Sequence, residues 1–223
     1  MHDRRHKLSD GHSRYPGYDV LSKVSGPSWN EQTRRVIMRR LAIDSTPHFF
    51  TPDEYRMVAA IAARLVPQSA TRAPIPVPAL IDHRLHRGTM DGYRLAGMPR
   101  DQDAWRLGLK ALQAEARMAY GQRFDELPEA LQDVMLRRME AGALGGPDWG
   151  TMRCRDFFHK RMARDIVLAY YAHPTAWSEI GWGGPASPRG YVRLDFDERD
   201  PWEAAEADGG DDESVRRINR HVR

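Results

Sequence analysis

The sequence predicts an all-α fold, a compact bundle of about five helices, and three observations support this class. In the middle of the 223-residue chain, apolar residues recur at the three- and four-residue spacing of amphipathic helices. Residues that start and stop helices bracket these segments. No run of five or more residues alternates between apolar and polar side chains, as a half-buried strand does.

The first predicted helix covers residues 30–43, a stretch that mixes apolar and arginine side chains. The second helix has the clearest start in the chain. Thr51 can cap the first free amide groups, Pro52 suits the first helical position, and Glu54 can reach back to the cap residue. Since Pro67 cannot continue a helix, this element is expected to end before it.

An extended, proline-rich connector follows over residues 69–78, and four further helices are predicted after it. Their apolar residues keep helical spacing, and Gly88, Gly121 and Pro174 stop three of them. The predicted ranges are residues 79–86, 101–120, 129–141 and 153–173.

Composition limits the classes of protein to consider. Leu, Ile, Val and Phe make up only about 18% of the chain, so a folded middle with solvated ends is expected. The single cysteine excludes a disulfide within the chain and a zinc site built from several cysteines. The longest run without a charged residue, 166–178, is shorter than the roughly 20 residues of a membrane-spanning helix. The sequence therefore predicts no membrane span.

The charge pattern divides the chain into three predicted segments. Residues 1–48 form a basic, partly flexible N-terminal arm, residues 49–194 the helical domain, and residues 195–223 a tail that is first acidic and then basic. The Arg4-Arg5 pair invites an export interpretation, but no apolar stretch of signal-peptide length follows it. We therefore expect a cytoplasmic protein, or a periplasmic one if a partner carries it out.

Residues 175–191, here called the Gly/Trp segment, break the helical pattern. Four glycines and two prolines argue against a regular helix. The segment nevertheless carries four large side chains, Trp177, Ile180, Trp182 and Tyr191, which a solvated linker would not hold. Two interpretations stay open, and both can hold: the rings pack on the chain's own helices, or they anchor another subunit.

A search for chemistry finds only weak candidates. His83 and His86 lie one helical turn apart, but no third metal ligand is in register. Cys154 has no partner histidine at a known spacing. The glycine-rich stretch 145–150 lies between helices, and so lacks the strand that precedes a phosphate-binding loop. The residues therefore predict no catalytic, cofactor-binding or metal site, and indicate a helical binding module.

The order of segments resembles a known family. The matching stretches are residues 49–54, 63–67, 79–82, 93–95, 124–128, 157–158 and 170–174, and the closing Trp-Ser-Glu-Ile-Gly-Trp-Gly-Gly-Pro of residues 177–185. Together they resemble the gluconate 2-dehydrogenase subunit 3 family, the small subunit of FAD-dependent sugar and polyol dehydrogenases. One departure is the absence of the twin-arginine signal that members of that family commonly bear.

The resemblance implies an accessory chain rather than a catalytic one. A large FAD-dependent subunit, a GMC-type oxidoreductase, would hold the flavin, and a c-type cytochrome subunit could take the electrons onward. This chain would bind and stabilise the flavoprotein and aid its maturation, with Trp177 and Trp182 as the main anchors. The expected interface residues are Tyr170, His173, Trp177, Glu179, Ile180, Trp182, Gly183, Gly184, Pro185, Arg189 and Tyr191.

Two alternatives from other classes remain at this point. The first is a stand-alone enzyme with an unrecognised site, for instance around His173 and Glu179. The second is a nucleic-acid-binding helical protein that uses the arginines of the predicted first helix, Arg34, Arg35, Arg39 and Arg40. Because no recognition helix can be placed, we expect no nucleic-acid partner.

Overall fold

The computed structural model is all-α, as predicted, with no strand in the part of the chain that it describes. The described residues are 13–70, 72–89, 97–186, 190, 200, 202–207 and 211–222. The α-helices are α1 (Glu31–Leu41), α2 (Pro52–Leu65), α3 (Val77–His86), α4 (Asp101–Tyr120), α5 (Glu129–Glu140), α6 (Cys154–Phe157), α7 (Ala163–Tyr171), α8 (Pro174–Glu179) and α9 (Asp212–Asn219).

The chain divides into two compact units. Ala42–Tyr171 forms one, the helical unit, which holds α2 to α7. The residues up to Leu41 and those from Ala172 onward form the other, the terminal unit, which holds α1, α8 and α9. This division differs from the three segments expected from charge, because both ends of the chain lie in one unit.

Local signals set the start of α2 as the sequence predicts. The Thr51 hydroxyl accepts a hydrogen bond from the Glu54 amide at 3.3 Å, and the Glu54 carboxylate accepts one from the Thr51 amide at 2.8 Å. Pro52 occupies the first turn, where no amide hydrogen is needed. These reciprocal bonds satisfy donors that the end of a helix otherwise leaves free.

The helical unit packs α2 against α3, α5 and α7, and α4 against the elements that follow it. Its core includes Trp105 of α4 and Phe157 of α6, whose rings meet edge to face at 5.7 Å. Gly108 makes this close approach possible. A Cβ at that position would lie 2.3 Å from the Phe157 ring, so no other residue fits there without a shift.

The last predicted helix of this unit, over residues 153–173, forms as a continuous run with an irregular middle. A π-helical turn, Phe158–Met162, joins α6 to α7. The run ends at Tyr171, two residues early, because the residue before Pro174 is restricted to extended backbone. His173 accordingly has φ −93° and ψ 138°.

The terminal unit has its own core, in which Tyr18, Val20, Trp29, Ile37, Trp177 and Val222 are buried. Residues expected to be a flexible arm and a solvated tail therefore contribute core side chains. Asn219, which is 1% exposed, ties the two ends together by donating to the Pro16 and Ala205 carbonyls, each at 3.0 Å. Within the described residues, no helix is both long and apolar enough to cross a membrane.

Candidate partner-binding site

Helix α8 begins the Gly/Trp segment, where the sequence argues against a regular helix. Pro174 takes the first turn, and the His173 Nδ1 accepts a hydrogen bond from the Thr175 amide at 3.3 Å. The glycines of the segment begin only at Gly181, after the helix has ended. The prediction that no helix forms here was therefore wrong for its first residues.

A buried serine holds α8 against the short 3-10 helix Val20–Lys23. The Ser178 hydroxyl accepts a hydrogen bond from the Val20 amide at 3.1 Å and donates one to the Pro174 carbonyl at 3.2 Å. Ser178 is 2% exposed, so both bonds are shielded from water. The position of α8 in the terminal unit is thus fixed by directed bonds as well as by packing.

Trp177 is not presented to solvent, in contrast to our expectation that it would be a main anchor. Its side chain is 2% exposed and lies in the core with Tyr18, Trp29 and Ile37. An indole enclosed in this way offers no area to a second polypeptide. Of the two interpretations left open by the sequence, packing on the chain's own residues is the one that applies to Trp177.

Trp182 has the opposite environment, because it is 39% exposed, and Ile180 beside it is 47% exposed. The Trp182 ring meets the Trp177 ring edge to face at 4.9 Å with an interplanar angle of 82°. The Trp182 amide donates to the Trp177 carbonyl at 2.9 Å. The exposed indole therefore packs against a buried one, in the edge-to-face geometry that aromatic pairs prefer.

Glycines shape this exposed edge. Gly184 has φ 69°, and a Cβ there would lie 3.0 Å from Trp29 and 3.2 Å from Trp177. Gly181 also has φ 69°, and a Cβ there would lie 2.5 Å from the Tyr15 ring. Both positions need the left-handed backbone that glycine adopts without strain, and both need its lack of a side chain.

The remaining predicted interface residues are distributed unevenly. His173 is buried, and Glu179 and Pro185 are half-buried in the terminal unit. Tyr170 is 6% exposed and belongs to the helical unit, where its ring meets that of Tyr171 at 5.1 Å. Arg189 and Tyr191 lie outside the described residues. The interface itself stays a prediction.

The weak candidates for chemistry are occupied by structural contacts. The amides of Gly145 and Gly146 donate to the Glu115 carboxylate at 3.0 and 2.8 Å, so that the glycine-rich stretch already binds an internal anion. Cys154 is 3% exposed. The described residues contain no group of three or more metal-ligating side chains, and His86 stacks near His48 instead.

Three of the four arginines of α1 bind groups of the chain itself. Arg34 donates to the Val24 and Gly26 carbonyls, Arg40 donates to the Ala172 carbonyl at 2.9 Å, and Arg35 pairs with Glu31. These contacts withdraw donors that a nucleic-acid surface would offer to phosphates.

The sequence analysis missed a buried network of charges in the helical unit. Arg84 and Arg161 pair with Asp101 and Asp165, and the Trp105 indole donates to Asp165 at 2.8 Å. Burial raises the pKa of Asp165 above its ordinary value, although both arginines act in the other direction. The only available signal was the four-residue spacing of Arg161 and Asp165, which surface ion pairs share.

Comparison with known proteins gives one match. The model of the family described as gluconate 2-dehydrogenase subunit 3 matches residues 52–184, which is more than half of the chain. The match covers the helical unit from Pro52 onward and ends at Gly184, so it includes the exposed Trp182. No curated protein and no solved structure matches the chain. The chain belongs to the gluconate 2-dehydrogenase subunit 3 family.

Proposed function

We propose that this chain is the non-catalytic small subunit of an FAD-dependent sugar or polyol dehydrogenase, which it binds and stabilises. The observation that carries the proposal is the pair of exposed side chains Ile180 and Trp182, which lie between closely packed glycines in the segment that the family model matches. Tryptophan is among the residues that most often carry the binding energy of protein interfaces. The FAD, in this proposal, belongs to the large GMC-type subunit.

The geometry favours binding over catalysis for a physical reason. Ile180 and Trp182 expose apolar surface, while the Ser178 hydroxyl and the His173 Nδ1 at α8 already bind groups of the chain itself. Apolar surface gains free energy when a second polypeptide removes it from water. A stable interface centred here would bury more than about 1,200 Å² in total, counting both partners.

The first experiment tests the interface. The full chain, affinity-tagged, is purified from its native cells as wild type, as Trp182→Ala and as the control Met118→Ala, whose side chain is 73% exposed in the helical unit. We expect the wild type and the control to recover a protein with oxidised-flavin absorbance. Trp182→Ala should bind it about 30-fold more weakly, equivalent to about 2 kcal/mol. Equal recovery by all three would refute the interface, and the lack of any flavoprotein would refute the function.

The second experiment tests stabilisation. A partner that binds only the folded flavoprotein raises the free energy of unfolding in proportion to the logarithm of its concentration over Kd. The flavoprotein should therefore melt at a higher temperature and release flavin more slowly when this chain is added. If neither the melting temperature nor the rate of flavin release changes, the stabilising role is excluded.

A further inference from the structure

The terminal unit contains a buried lysine, which is an unusual place for this side chain. Lys23 closes the 3-10 helix Val20–Lys23 and is 2% exposed. Its ammonium group lies over the Trp29 ring, 5.9 Å from the ring centroid. Among the ion pairs of the described residues, none involves Lys23, and Glu203 attracts its charge from a longer distance.

The indole nitrogen of Trp29 is a second buried donor beside it. Trp29 is 1% exposed, and its Nε1 has no hydrogen-bond partner among the described residues. A buried donor without an acceptor has given up its hydrogen bonds to water without a replacement, so native proteins rarely leave one unsatisfied. A buried indole N–H without an acceptor and a lysine ammonium without an ion pair among the described residues thus lie beside each other in the same core.

Gly183 lies directly against the ammonium group of Lys23. A Cβ at that position would lie 3.1 Å from the Lys23 Nζ, closer than ordinary van der Waals contact. Gly183 directly follows the exposed Trp182 along the chain. A group that docks beside the Trp182 ring is therefore one residue away from the buried ammonium.

The chemistry of the two donors selects the class of group that would bind. A carboxylate has two acceptor oxygens and a negative charge, so it can accept from an ammonium and from an indole N–H together. Burial lowers the pKa of Lys23 to about 8, which shows the cost of leaving the charge without a close counterion. An incoming carboxylate would remove that cost.

We propose that Lys23 and Trp29 form a receptor for one carboxylate, supplied by an acidic side chain of the partner subunit that docks on Trp182. That the partner subunit supplies the carboxylate rests on the proposed function, whereas the receptor formed by Lys23 and Trp29 does not. The other possible source is the chain's own acidic stretch, residues 195–213, with ten acidic residues against one arginine. The experiment separates the two sources.

The receptor is tested first with acetate as the probe, by following the six tryptophan indole N–H signals in a ¹H–¹⁵N spectrum. Acetate should shift the Trp29 signal saturably, and chloride at the same ionic strength should not. Trp105 and Trp149 serve as internal controls, because their indoles already donate to Asp165 and Glu115. The shift should disappear in Lys23→Met.

Gly183→Ala provides a second variant in case Lys23→Met disturbs the fold. It leaves both donors in place but puts a methyl group against the Lys23 ammonium, where the carboxylate would bind, so it should weaken the acetate response at least tenfold. A Trp29 signal that acetate does not move, or moves equally in the wild type and Gly183→Ala, would overturn the receptor.

The source of the carboxylate is tested with the flavoprotein. If the partner supplies it, Lys23→Met should weaken binding about 30-fold or more, and saturating flavoprotein should shift the Trp29 signal. If acetate shifts the signal but Lys23→Met binds the flavoprotein as tightly as the wild type, the partner is not the source and that half of the proposal fails. This result is distinct from failure of the proposed function, in which no flavoprotein binds the wild type.

Discussion

Replacing Asp165 with alanine should strongly destabilise the helical unit. Asp165 is 3% exposed and accepts from the Trp105 indole at 2.8 Å, while Arg84 and Arg161 lie against its carboxylate. In this variant Arg84 and Arg161 would keep only Asp101 as an acidic partner within the buried network. Removing one member of a buried charge pair costs about 3–5 kcal/mol, because the remaining charge stays desolvated.

The same helical run offers a matched control. Lys160 and Asp156 form an ion pair with the same four-residue spacing as Arg161 and Asp165, at 2.7 Å, but their side chains are 44% and 32% exposed. Exposed pairs of this kind contribute about 0.3–0.5 kcal/mol, since water screens them. Asp156→Ala should therefore change the free energy of unfolding by about a tenth of the Asp165→Ala effect.

The assay is urea unfolding followed by the indole signal of Trp149, which lies in the same unit and donates to Glu115 rather than to Asp165. The free energy of unfolding comes from the midpoint and the slope of the transition. Asp165→Asn keeps an acceptor oxygen for Trp105 and should recover part of the loss. Equal destabilisation by Asp165→Ala and Asp156→Ala would show that burial adds nothing to this network.

Three further predictions concern glycine packing, titration and capping. Gly184→Ala should destabilise the terminal unit by more than the roughly 1 kcal/mol expected of Gly88→Ala. Both glycines have positive φ, but only at Gly184 would a Cβ press against two indoles. Thermal unfolding of both variants checks this. Burial, and then the charge of Arg40, lowers the pKa of His173 below 6.5. As the pH falls, His173 therefore binds a proton in the unfolded chain before it does so in the folded one. The contribution of His173 to the free energy of unfolding of the terminal unit should therefore be fully present above about pH 6.5 and fall as the pH drops further. His173→Asn keeps a capping acceptor and should flatten this pH dependence, as measured by urea unfolding at several pH values. Thr51→Ala should cost about 0.5–2 kcal/mol in the same assay, and an unchanged midpoint would contradict the capping role.

Much of the helical unit could be predicted because its signals are local. Thr51 with Glu54 marks the start of α2, and Gly121 at φ 69° ends α4 where the sequence indicates. Caps, prolines and apolar spacing act over a few residues, so a single sequence contains them. The resemblance to the family was likewise confirmed by the match over residues 52–184.

The site was harder to predict because its environment comes from distant parts of the chain. Trp177 is buried by residues near both chain ends, including Tyr18 and Val222, and no local pattern reports such contacts. The same limit applies to the buried charges. Arg161 and Asp165 are four residues apart on one helical run, and so are Asp156 and Lys160, although the basic residue comes first in one pair and the acidic residue in the other. Only the fold buries the first pair.

The arrangement of the terminal unit has a consequence for biosynthesis. Val222 packs in the same core as Tyr18 and Trp177, so this core needs residues from both ends of the polypeptide. The ribosome releases Val222 last among them, whereas the helical unit is complete once Tyr171 has emerged. The core around Trp177 therefore cannot close until Val222 has left the ribosome, well after the helical unit has all of its residues.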